Sequence, residues 1–88
     1  AAEWNDLQAM IDQTYGMFTK RLYALFPQIS EQELRICLLL KISISATGIA
    51  NLTLRSKQAV TSSRKKLYEK THGQQGGPEK WDQFIQAF

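Results

Sequence analysis

Between Trp4 and Phe26, apolar residues recur at Trp4, Leu7, Met10, Ile11, Tyr15, Phe18, Leu22, Leu25 and Phe26, with polar or charged residues between them. That spacing is the period of an amphipathic helix. It fits one long helix or two broken near Gly16, and it stops at Pro27, which has no amide to donate and drives the preceding residue out of helical geometry. A second pattern starts at Ser30, with Glu33 three residues later to close a capping box and with Ile29 and Leu34 at the spacing of a hydrophobic staple. The expected helix runs from Glu31 to Lys41. Its Leu34, Ile36, Cys37, Leu38, Leu39 and Leu40 leave little polar surface, so it should be central and largely buried.

Ser43-Ile44-Ser45 interrupts the pattern, and Ser45 can cap a short helix from Ala46 to about Leu52, with Ile44 and Ile49 again at staple spacing. Gly48 weakens that helix by roughly 1 kcal/mol relative to alanine. Thr53-Leu54-Arg55 reads as a turn, and Ser56 caps a third helix through Val60, Ser63 and Leu67 to Thr71. His72 to Pro78 is polar and glycine-rich, hence a loop, and Pro78 suits the first position of a final helix carrying Trp81, Phe84, Ile85 and Phe88 on one stripe. The organisation expected is residues 1–28 as an N-terminal helix or connector, 29–72 as the core, and 73–88 as loop and C-terminal helix, all one folding unit. The fold class is all-α, with a wingless three- to four-helix core, a long N-terminal helix and a C-terminal helix.

Eighty-eight residues allow one core, and 43% hydrophobic content suffices to fold without metal or disulfide staples. The net charge of +3 changes the picture only through its placement. Arg55, Lys57, Arg64, Lys65, Lys66 and Lys70 face a single acid, Glu69, so this segment carries +5 and the remainder is net acidic. The lone Cys37 sits in an apolar run and suggests a reducing, cytoplasmic setting. No apolar stretch approaches the ~20 residues that span a bilayer. The chain opens on alanine and enters a helical pattern almost at once, as a domain cut from a longer protein would.

A helix can lie in the major groove of duplex DNA only if one face packs on a support while the other offers donors to phosphates and base edges. In the 56–71 helix, Val60, Ser63 and Leu67 are expected to point inward, leaving Lys57, Gln58, Thr61, Ser62 and Lys65 on the opposite side with Arg64 and Lys66 flanking. Gln58 suits adenine, Thr61 a thymine methyl or a hydrogen bond, and Lys65 guanine or phosphate. Arg55, Lys57, Lys66 and Lys70 are placed for the backbone, and Ser56 with the free amides of the helix start forms a natural phosphate position. A run of basic residues is more commonly a solvated helix face, but such a face normally alternates signs, and this one scarcely does.

The residues Ile29-Ser30-Glu31-Gln32-Glu33, Ser43-Ile44-Ser45, Ile49-Ala50, Ser56, Val60 and Arg64-Lys65-Lys66-Leu67 resemble the LuxR-type helix-turn-helix family over roughly Ile29 to Tyr68. Leu67-Tyr68-Glu69-Lys70 and Trp81-Asp82-x-Phe84-Ile85 resemble, more narrowly, C-terminal regulator domains of Bacteroides-type bacteria. The resemblance implies base-reading roles for Thr61, Ser62 and Lys65 and a C-terminal helix used for dimerisation. Ser43 stands where the family has glycine, Thr53 and Arg55 where aliphatic residues pack, and Gly48 where a helix-favouring residue is usual; Leu52 and Leu54 are available to compensate.

The function expected is sequence-specific binding of double-stranded DNA as the output domain of a bacterial transcription regulator. The alternatives are a sigma-factor-like promoter-recognition domain and a helical protein-interaction module. A homodimer through the N- or C-terminal helix is one use of the aromatic stripe, and packing back on the first helix is the other. One histidine and one buried cysteine assemble neither a nucleophile pair nor a metal set, so no enzyme activity, cofactor, small-molecule substrate or membrane contact is expected.

Overall fold

The computed structural model describes residues 2–88, and among them forms six helices and no strand. These are α1 (Ala2–Thr14), α2 (Phe18–Leu25), α3 (Glu31–Lys41), α4 (Ala46–Thr53), α5 (Lys57–His72) and α6 (Pro78–Ala87). None is long and apolar enough to cross a membrane. The capping box forms as expected: the Glu33 amide donates to Ser30 Oγ at 3.1 Å and the Ser30 amide to Glu33 Oε1 at 2.9 Å. Leu34 and every residue from Ile36 to Lys41 are buried, and α3 is contacted by α1, α4, α5 and α6. It is the post around which the other helices stand.

Of the two readings of the N-terminal pattern, two helices broken near Gly16 are found in place of one long helix. Gly16 and Met17 both take left-handed backbone, with φ of 61° and 59°, and no α-helix continues through such a pair. Polar groups from α1 and α2 hold the break. Asp12 accepts from the Thr19 amide at 2.7 Å, and Arg21 donates to the carbonyls of Gly16 and Tyr15 at 3.0 and 2.7 Å. The break resets the helical phase. Ile11, Phe18 and Leu22 reach the core, while Met10, Tyr15 and Leu25 from the same predicted stripe are exposed.

Two further left-handed residues are not glycine. Ser43 (φ 64°) closes α3, where the Ile44 amide returns to the Leu39 carbonyl at 3.0 Å and the Ser43 amide to Leu40 at 2.9 Å. Leu54 (φ 57°) closes α4 with the same pair of bonds, Arg55 to Ala50 at 3.0 Å and Leu54 to Asn51 at 3.4 Å. Both are Schellman closures, which glycine normally supplies. A side chain at such a position costs roughly 1–2 kcal/mol, partly offset by the unfolded-state freedom that glycine would add. Leu54 is 92% exposed and loses no packing on truncation. Ser43→Gly and Leu54→Gly are each expected to raise stability by about 0.5–1 kcal/mol in urea denaturation; a loss at either position would contradict the backbone described.

Leu52 and Leu54 therefore do not compensate inside the core: both are exposed. Thr53 is buried in their stead, its hydroxyl donating to the Ile49 carbonyl at 2.7 Å. Gly48 is explained by close approach, because a Cβ there would lie 2.8 Å from Ile44 Cγ2, the side chain that staples the start of α4.

The C-terminal helix packs on α3 and α5, with Trp81 and Ile85 wholly buried, and its last turn meets α2 rather than resting chiefly on α1. Its terminal carbonyls are held by two cations. Buried Lys41 donates to Gln86 at 3.1 Å and Ile85 at 3.4 Å, and Arg21 donates to Phe88 at 2.5 Å. Cations here complement the negative end of the helix dipole. Burial, reinforced by nearby Arg21, holds the Lys41 ammonium below its ordinary pKa. Next to α6, burial pushes the Cys37 thiol far above the usual cysteine range, only partly offset by the Trp81 indole.

Candidate nucleic-acid interface

Helices α4 and α5 are joined by the three residues Leu54-Arg55-Ser56, and Ser56 Oγ accepts from the Ala59 amide at 3.0 Å to start α5. The helix faces follow from which positions the core takes. Val60, Arg64, Leu67 and Tyr68 are buried, at spacings of four, seven and eight residues from the first. Opposite them lie Gln58, Ser62 and Lys65, all exposed, with Thr61 half-buried in the same stripe and exposed Lys57 and Lys66 to either side.

Of the expected contact residues, Gln58, Thr61, Ser62 and Lys65 share one accessible side of the helix, while exposed Lys57 and Lys66 stand at its two opposite edges and Ser56 at the helix start. Ser56 Oγ is committed to its capping bond, but the residue remains exposed at the helix start. Arg55 is half-buried, its guanidinium 3.5 Å from Ser63 Oγ across the turn. Ser63 itself is half-buried rather than a core residue.

Arg64 is the correction. Expected at the flank, it is 7% exposed and turned inward, where Nε and Nη2 bond the two carboxylate oxygens of Asp82 at 2.9 and 2.5 Å. The reason is positional: residue 64 lies four after Val60 and three before Leu67, so it belongs to the buried stripe whatever its charge. Lys70 is also engaged. Its ammonium sits 3.6 Å from Glu33 and 5.7 Å from the Phe26 ring centroid, which ties the end of α5 to the start of α3.

With Arg64 answered by Asp82 and Lys70 by Glu33, the basic segment reduces to Arg55, Lys57, Lys65 and Lys66 against Glu69. The effective balance of this surface falls from +5 to +3. It is still one-signed along the outer stripe until Glu69, which borders two shallow open depressions. One is lined by Ser62, Lys65, Lys66 and Glu69, the other by Lys65, Glu69, Gln75, Gly76 and Gly77. Neither encloses a small molecule. Among the described residues no group of three His, Cys, Asp or Glu side chains is placed to hold a metal ion.

Arg64 escaped the sequence reading because its neighbours Lys65 and Lys66 drew it into a basic cluster. The signal that could have placed it was the four-residue step from Val60. No protein-family model, curated protein or solved structure matches the chain.

Proposed function

We propose that the chain is a sequence-specific double-stranded DNA-binding domain of a bacterial transcription regulator, with α4 as support and α5 as the helix that enters the major groove. The observation carrying this reading is the outer stripe of α5. Gln58, Thr61, Ser62 and Lys65 offer donors and acceptors in one line, flanked by Lys57 and Lys66, while Val60 and Leu67 anchor the opposite side. The left-handed backbone at Ser43 also supports a LuxR-type helix-turn-helix, because it lies where that family carries glycine.

Selection of bound duplexes from a random pool tests the proposal, since a selected consensus is expected and an unselected pool would reject it. On the selected duplex, Thr61→Ala and Lys65→Ala are each expected to cost about 1–3 kcal/mol and to change base preference. Lys66→Ala should weaken every duplex alike and flatten the salt dependence by about 0.9 in log–log slope. Three cations placed for phosphate, Arg55, Lys57 and Lys66, set the native slope at roughly −3. Equal effects of Lys65→Ala on all duplexes would remove its base-reading role.

Any second copy would have to avoid the Trp81 and Ile85 stripe, which is spent within the chain. A protein-interaction role for α1 and α2 draws on the exposed side chains of Met10, Tyr15, Met17, Tyr23 and Leu25. No duplex binding even at low salt would favour that role over the DNA reading.

A further inference from the structure

We infer that Arg64 and Asp82 form a positioning pair that sets the rotation of α5 about its own axis, and thereby which side chains face the bases; this rests on the DNA-binding reading above. The geometric requirement is strict, because side chains three and four residues apart lie only about 40–60° around the helix, so a roll of that size replaces the Gln58–Thr61–Lys65 line by its neighbours. The apolar contacts of α5 set its buried face but not the finer angle within that face. Val60, Leu67 and Tyr68 choose which face of α5 is buried, but their contacts are non-directional, so a directional pair on the same face narrows the angle further.

Arg64 lies between them and is directional. Two parallel N–H to oxygen bonds from a planar guanidinium fix both the distance and the orientation of a carboxylate, which a lysine at the same place would not. The partner is itself anchored, since Asp82 follows wholly buried Trp81 on α6, and the end of α6 is gripped by Lys41 and Arg21. A chain of polar contacts therefore runs from α2 and α3 through α6 to the buried face of α5.

Net stability is not what such a pair contributes best. Replacing a buried ion pair by packed apolar residues is often neutral or favourable, whereas its attested use is to specify register. The double variant Arg64→Met/Asp82→Leu separates these roles, because it is expected to fold and yet to lose direction. On the duplex selected by the native chain, selectivity over a scrambled duplex should fall about tenfold, the worth of roughly one base contact. The log–log salt slope should not change, since no phosphate contact is removed.

Selectivity within twofold of the native chain would overturn the inference while leaving the DNA reading intact. So would a slope reduced by about 0.9 with selectivity retained, which would make Arg64 a phosphate ligand. Failure of the native chain to select any duplex overturns both. Should the double variant not fold, the Arg64 Nε–H resonance of the native chain decides: unchanged in saturating selected duplex, it supports a bridge retained in the complex, and moved to the position of a phosphate-bound arginine, it overturns one.

Discussion

Trp81→Ala is expected to destabilise the fold by about 3–5 kcal/mol, measured by urea denaturation followed by far-UV circular dichroism. Trp81 is the largest side chain with no exposed surface, and it lies in an aromatic group with Phe84, centroid to centroid 5.3 Å, and His72 at 6.4 Å. Removing it leaves a void between α3, α5 and α6 that their backbones cannot close, so the cavity adds to the lost transfer energy. A domain of this size has about 5–10 kcal/mol in all, which places the variant near unfolding at physiological temperature. A shift below about 0.5 kcal/mol would mean that α6 does not pack as described.

Arg64→Ala is expected to cost about 3–5 kcal/mol, against about 0.5 kcal/mol or less for Lys65→Ala and Lys66→Ala beside it. Loss of the guanidinium strands the Asp82 carboxylate, whose side chain is 23% exposed, in a low-dielectric seam; this residual exposure favours the lower end of the range. The lysines stand in solvent and lose only weak interactions. The two lysines should therefore be costly only in a DNA titration, whereas Arg64 should be costly in the denaturation series and, through the rotation of α5, in duplex selectivity as well. Equal stability losses at all three would contradict the placement of Arg64.

What could be read from the chain alone was what is decided locally. The serine caps at Ser30, Ser45 and Ser56 and the proline at Pro78 act within one turn of their own position, so the starts of α3, α4, α5 and α6 follow from sequence. The breaks at Ser43 and Leu54 were legible, but the left-handed backbone of the two residues was not, because neither favours it and the surrounding fold imposes it. The break after α1 was visible as Gly16 but not as necessary, since it depends on Arg21 and Asp12 reaching back across the turn. The outer stripe of α5 was legible from periodicity. Its true charge was not, because Asp82 and Glu33 lie on other helices and only the folded chain brings them to Arg64 and Lys70.

The sealed thiol of Cys37 gives the molecule a built-in gauge of its own opening. With no accessible surface and a strongly disfavoured thiolate, it can be alkylated only during excursions that part α3 from its neighbours. Because the chain holds one cysteine, the rate of iodoacetamide labelling, divided by the rate in urea, counts those excursions directly and compares variants without any added probe.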